Sequence, residues 1–143
     1  MMITQLSIFV ENKFGRLEAI IDCLGKNKIN IRALSIADTT DFGILRIIVD
    51  KPEYAKSVLK EIGVIAKCND VIAVSIDDKS GGLAQVLKLL TERQINVEYM
   101  YAFLGRQTGK AYMVMKADRC EDAEAALTEF GVGTVDASEL FSM

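Results

Sequence analysis

The chain has 143 residues, half of them apolar and 26% charged, with one proline and a formal net charge of −3. Scattered basic residues leave no electrostatic footprint for nucleic acid, and the apolar runs are too short to span a bilayer. Histidine is absent, which removes the commonest general base and the commonest metal ligand together.

In chain order, Leu6, Ile8 and Val10 alternate with Gln5, Ser7 and Phe9, the period of a half-buried strand. Leu17, Ile20, Ile21 and Leu24 follow at helical spacing, with Gly25 and Asn27 expected to supply a left-handed stop. Ile29 to Ala37 and Ile44 to Val49 predict two strands around the turn-prone run Asp38-Thr39-Thr40-Asp41. Asp50-Lys51-Pro52-Glu53 has the form of an acidic capping box. It opens a second helical stripe, Ala55, Val58, Leu59 and Ile62, which Gly63 ends. Between Gly63 and Val71 there is room for one short closing strand and none for a flexible linker.

The chain then repeats itself. Gly15-Arg16-Leu17 through Ile29-Asn30-Ile31 returns as Gly81-Gly82-Leu83 through Ile95-Asn96-Val97, an offset of 81 − 15 = 66. Gly43 falls on Gly109 at that offset, and a two-residue insertion after it then aligns Ala55, Leu59 and Gly63 with Ala123, Leu127 and Gly131. The second half accordingly predicts a strand at Val71 to Ile76, a helix at Leu83 to Leu90, and strands at Ile95 to Phe103 and Ala111 to Met115. Asp118 with Glu121 repeats the cap, Ala123 to Phe130 the helix, and Thr134 to Leu140 gives a last strand. Each half therefore reads β-α-β-β-α-β, the split βαβ pattern of ferredoxin-like units. The expected architecture is α+β: two such units, 1–69 and 70–143, paired side by side along their second strands. That pairing would satisfy both exposed edges and give an eight-stranded antiparallel sheet with four helices on one face.

The informative element is the turn from first strand to first helix, Glu11-Asn12-Lys13-Phe14-Gly15-Arg16-Leu17, repeated as Asp77-Asp78-Lys79-Ser80-Gly81-Gly82-Leu83. Each places a short polar side chain three residues before a glycine at a helix N-terminus. Free N–H groups there can receive a carboxylate, and glycine lets a ligand approach the backbone. Asn12 or Asp78 could face an ammonium or amide group. The bland alternatives are that Asn12 and Asp78 are turn or cap residues, Asn30 and Asn96 turns into strands, and Arg16 a solvated cation.

A strand, Asn/Asp-x-x-Gly-x-Leu opening a helix, and Ile-Asn-Ile starting the next strand together resemble an ACT domain, here twice over the whole chain. The proline often found before that family's glycine is Phe14 in one half and Ser80 in the other. The resemblance implies a regulatory module that binds a free amino acid at a cleft between paired domains. Carried over by motif, the candidate ligand residues are Asn12, Gly15, Leu17, Asn30 and Ile31 in the first half, with Phe14 and Arg16 of the same loop as further candidates. In the second they are Asp78, Gly81, Leu83, Asn96 and Val97, with Ser80 and Gly82 in the slots of Phe14 and Arg16.

Other classes fare worse. No glycine-rich phosphate loop followed by arginine supports an acylphosphatase-like enzyme, and no nucleophile–base pair is spaced for catalysis. The aromatic-basic signature of an RNA-binding sheet is missing. Cys23, Cys68 and Cys120 lack metal or disulfide-framework spacing, and Cys23 reads as a reduced, buried side chain. Tyr99, Tyr101 and Phe103 lie on one side of a strand and read as part of a covered sheet face. The expectation is a cytoplasmic, non-catalytic sensor of an amino acid, without cofactor or metal, associating with itself or with a partner enzyme. The alternative is a partner-docking or dimerisation module that has lost its ligand.

Overall fold

The computed structural model describes residues 2–38 and 40–143, so Thr39 of the expected turn lies outside the described residues. The elements are β1 (Ile3–Glu11), α1 (Arg16–Lys26), β2 (Ile31–Asp38), β3 (Phe42–Val49), α2 (Pro52–Glu61) and β4 (Ala66–Asp77). They continue with α3 (Gly82–Glu92), β5 (Val97–Phe103), β6 (Lys110–Ala117), α4 (Cys120–Glu129), β7 (Gly133–Val135) and α5 (Ala137–Ser142). The chain divides into two compact units, one of Thr4–Asn69 and one of Met1–Ile3 with Asp70–Met143. Among the described residues no helix is long and apolar enough to cross a membrane.

In the first unit the strand order is β2-β3-β1-β4, and β1, β2 and β3 pair antiparallel. Leu6, Ile8 and Val10 of β1 lie beside Ile47, Leu45 and Gly43 of β3. The alternation sends Leu6, Ile8, Leu45 and Ile47 into one core with Ile20 and Leu24 of α1 and Val58 and Leu59 of α2. Fully burying such side chains stabilises a fold by about 1.5–3 kcal/mol each before chain entropy is subtracted. The other sheet face carries a buried polar chain: Gln5 donates to Ser7 Oγ at 3.3 Å, and Ser7 Oγ to Asn69 Oδ1 at 2.6 Å.

The second unit repeats the order as β5-β6-β4-β7. Ile72, Val74 and Ile76 join Met115, Val86, Leu90 and Leu127 in its core. Tyr99, Tyr101 and Phe103 pair with Lys116, Val114 and Tyr112 on the opposite face, where each is half-buried. The Phe103 and Tyr112 rings sit 5.6 Å apart.

The architecture corrects the expected count of eight strands and four helices to seven strands and five helices among the described residues. Two strands become one because Ala66–Asp77 runs twelve residues without a break, ending the first unit and starting the second. No glycine or proline interrupts it. The fifth helix replaces most of the last expected strand: β7 stops at Val135, and Asp136 Oδ1 accepts the Glu139 N–H at 2.8 Å to cap α5. Asp136-Ala-Ser-Glu139 is a helix-start signal that overrides the short apolar run. The expected joining of the two second strands is also corrected, since β2 has only β3 and β5 only β6 as strand neighbours among the described residues.

Three local expectations change as well. The left-handed stop after the first helix of each unit falls on Lys28 (φ 57) and Gln94 (φ 59), not on Gly25 or Asn27. Gly25 lies inside α1, and Asn27 has φ −91. Asp50 does not cap α2; Lys51 occupies the N-cap without a side-chain bond, and Arg119 does so for α4. Register sets Gly43 beside Val10 and Ala111 beside Ile76, so Gly43 corresponds to Ala111 and the two-residue insertion precedes β6. Gly109 instead matches Asp41: their carbonyls accept the N–H groups of Asp78 and Asn12, both at 2.9 Å.

Candidate functional site

Both β1–α1-type loops are built the same way from the backbone up. Gly15 has φ 81 and Gly81 φ 84, the left-handed conformation that side-chain-bearing residues adopt only at a cost. Around each turn the Arg16 N–H reaches the Lys13 carbonyl at 3.2 Å and the Gly82 N–H the Lys79 carbonyl at 3.1 Å. The first helical bonds then run from Ala19 to Gly15 at 3.1 Å and from Gln85 to Gly81 at 3.0 Å. The N–H groups of Phe14, Gly15, Leu17 and Glu18 are left without an acceptor among the described residues, as are those of Ser80, Gly81, Leu83 and Ala84. A Cβ built on Gly15 or Gly81 meets nothing within 4 Å, so open space lies over both turns.

Asn12 is fixed at two points, its N–H on Asp41 and its Nδ2 on the Thr40 carbonyl at 3.3 Å, leaving Oδ1 without a partner among the described residues. The Asp78 carboxylate likewise has none. Neighbouring acids are engaged: Glu11 with Lys13 at 3.1 Å, and Asp77 with Lys110 at 2.7 Å. The Lys13 hydrogen bond and charge, and then Arg16, hold the Glu11 carboxyl below its ordinary range, and Lys110 does the same for Asp77. Phe14 stands fully exposed at the tip of its loop.

The two loops differ in the slot after the glycine. Arg16 extends from one, whereas a Cβ on Gly82 would lie 2.5 Å from the Asp77 carbonyl oxygen. Leu17 is 39% exposed while Leu83 is half-buried against the second core.

Within one unit the loop and the second-strand residues do not meet. Asn12 sits past the end where Val10 and Asp38 flank Gly43; Ile31 lies beside Val49. Those stations are 49 − 43 = 6 residues apart along β3, about 20 Å at strand rise. Asn30 and Ile31 are therefore at the opposite end of the sheet from Gly15, and Asn96 and Val97 at the opposite end from Gly81. Their local role is structural: the Asn30 N–H donates to Asp50 Oδ1 and the Asn96 N–H to Asp118 Oδ1.

A groove of about 510 Å³ opens in the first unit between α1, the end of α2 and β1. Arg16, Ala19 and Cys23 line it from α1, and Val58, Glu61 and Ile62 from the α2 side. Of the loop motif only Glu11 and Arg16 line this groove; its further signal in the sequence is the small size of Ala19 and Cys23 where the repeat has Gln85 and Leu89. Cys23 is half-buried, its Sγ 3.6 Å from the Val58 carbonyl oxygen, and Cys23, Cys68 and Cys120 form no disulfide among the described residues. Among the described residues no cluster of three or more His, Cys, Asp or Glu side chains is placed to hold a metal ion.

The ACT domain pair profile matches residues 1–143, and the chain belongs to that family of regulatory ferredoxin-like modules. It is similar to a crystallised protein from Bacteroides thetaiotaomicron at 38% identity, over 100% of this chain and 98% of that one, with a TM-score of 0.92. The regulatory subunit of aspartate kinase from Thermus thermophilus, in its ligand-free form, aligns at 16% identity over 88% of this chain and 91% of that one, with a TM-score of 0.65. The corresponding subunit from Thermus flavus aligns at 15% identity over 88% and 90%, with a TM-score of 0.63. At such identities these two share the fold. No curated protein matches the chain.

Proposed function

We propose that this chain is a non-catalytic sensor whose two ACT-like domains, 1–69 and 70–143, bind a free amino acid at their β1–α1-type loops. The observation that carries the reading is the doubled left-handed glycine with unpartnered N–H groups on either side and open space above. A carboxylate seated over Gly15 would accept from Phe14, Gly15, Leu17 or Glu18, helped by the α1 dipole. Its ammonium would meet Asn12 Oδ1, or the Asp78 carboxylate in the second unit. Ser80, Gly82 and Leu83 would shape the second site as Phe14, Arg16 and Leu17 shape the first.

Asn30, Ile31, Asn96 and Val97 can reach such a ligand only from another module, which the terminal strands β2 and β5 of a second copy could supply. Binding would then shift the population toward one arrangement of a homodimer or of a complex with a partner enzyme, because the ligand touches both sides. The likeness to aspartate kinase regulatory subunits supports a regulatory role.

The test is calorimetric titration with a panel of free amino acids, on the wild type and on Gly15→Val, Gly81→Val and Asp78→Ala. Saturable heat lost in those variants, with folding retained by circular dichroism, is the expected result; folded variants that bind as tightly as wild type would sink the reading. A docking role without ligand is favoured by one observation, the exposed Phe14 ring. In that case Phe14→Ser would abolish association while no amino acid gives heat.

A further inference from the structure

We propose that the groove between α1 and α2 of the first unit is a second ligand site, for an apolar amino acid, with Arg16 on its carboxylate and Glu61 on its ammonium. The proposal shares Arg16 with the first loop but not the loop's N–H groups, and Glu61 and the groove floor, which the loop reading does not use, keep the two distinguishable.

Charge carries the first part of the argument. Arg16, at the start of α1, and Glu61, at the end of α2, both line the groove, and neither forms an ion pair among the described residues. The helices run antiparallel over the sheet, so their near ends bring the two groups to the same end of the groove. A guanidinium fork receives a carboxylate with two parallel hydrogen bonds. Beneath them the floor is apolar: Val10, Ile20 and Val58 are core residues that also line the groove. On the rim Ile62 is 49% exposed. Glu11, Asp22 and Lys26 line the groove too, but Glu11 is held by Lys13 at 3.1 Å, and Asp22 and Lys26 hold each other at 2.9 Å. The remaining cation and anion over an apolar floor match a zwitterion with an apolar side chain, and about 510 Å³ is within the usual range of small-ligand pockets.

The repeat supplies an internal control. In the second unit the Arg16 slot is Gly82, and Glu129, the counterpart of Glu61, is already held by Arg93 at 3.1 Å. The Arg93 guanidinium also lies 5.5 Å over the Phe130 ring, the counterpart of Ile62. Gln85 and Leu89 replace Ala19 and Cys23, and the space there splits into hollows of about 130 and 360 Å³. The duplication has therefore kept Glu61 out of an ion pair and the groove continuous in one unit only.

The experiment maps amide shifts by heteronuclear NMR on the full chain, titrated with L-leucine and with L-phenylalanine. Saturable shifts at Ile20, Val58 and Ile62 are expected. They should weaken at least tenfold in affinity in Arg16→Gln and in Glu61→Gln, two exposed positions where folding is not at stake. The double variant Ala19→Gln with Cys23→Leu, which installs the second unit's residues, should remove them. 4-Methyl-2-oxopentanoate, which lacks the ammonium, should bind wild type at least tenfold more weakly than leucine and be insensitive to Glu61→Gln. Shifts confined to residues 12–18 and 78–84 would overturn the groove while leaving the loop reading intact; shifts confined to the groove would do the reverse. No saturable shift at the groove with either amino acid, or retention of those shifts in folded Arg16→Gln and Glu61→Gln, would also overturn it.

Discussion

Asn30 and Asp50 hold each other through two hydrogen bonds: the Asn30 N–H donates to Asp50 Oδ1 at 3.0 Å, and the Asp50 N–H donates to the Asn30 carbonyl at 3.2 Å. Asn96 and Asp118 repeat the arrangement at 3.1 and 3.0 Å. Each pair clamps the entry to one strand against the exit from its neighbour, which explains why an aspartate precedes the helix without capping it. Asp50→Ala and Asp118→Ala should each cost about 1–2 kcal/mol, as for a hydrogen bond to a charged acceptor. Urea denaturation would measure that loss.

The glycines that open the helices separate conformational from steric cost. Gly15→Ala and Gly81→Ala meet no neighbouring atom, so their penalty is that of a left-handed alanine, about 1–2 kcal/mol. Gly15→Asn should cost less, because asparagine visits that region more readily. Thermal denaturation of the series would show the order Gly, Asn, Ala, Val in decreasing stability.

Gly82 is limited by contact instead. A methyl group there meets the Asp77 carbonyl oxygen, so Gly82→Ala should destabilise by about 1–3 kcal/mol. Arg16→Ala, at the equivalent exposed position, should stay within about 0.5 kcal/mol of wild type. Similar losses at the two sites in urea denaturation would contradict the tight turn at Gly82.

Asp136 ties α5 to pH. Its carboxyl is held below the ordinary value of 3.8, first by the Glu139 N–H and then by Ser138. A depressed folded-state pKa contributes stability that is complete above the unfolded value and is lost as pH falls through the folded one. Amide exchange in Ala137–Ser142 should therefore accelerate below about pH 4 relative to the other helices. In Asp136→Ala that segment should exchange fast at every pH.

Periodicity made the paired helices and the strands before Cys120 legible, because Leu6, Ile8, Val10 and their counterparts at 72, 74 and 76 bury one face each. The end of the chain was harder: Thr134 to Leu140 satisfies a strand pattern, yet Asp136 and Glu139 cap a short helix whose Leu140 is fully buried. Asp50 shows a different limit, since its partner Asn30 is twenty positions away and no local pattern distinguishes a cross-strand clamp from a cap. At the candidate site the loop glycines were readable from spacing. The opposite placement of Asn30 and Ile31 was not, because it follows from strand direction. Nor was the groove, which depends on side chains left unpaired by the fold.

The uninterrupted strand from Ala66 to Asp77 turns length into parity. Ala66 belongs to the first unit's core and Ile72, Val74 and Ile76 to the second's, all at even positions of one strand. Adding a single residue between Cys68 and Val71 would exchange inside for outside along one half of the strand, whereas adding two would restore it. A chain evolving under this constraint lengthens its junction in steps of two, because only an even step keeps Ile72, Val74 and Ile76 on the buried side.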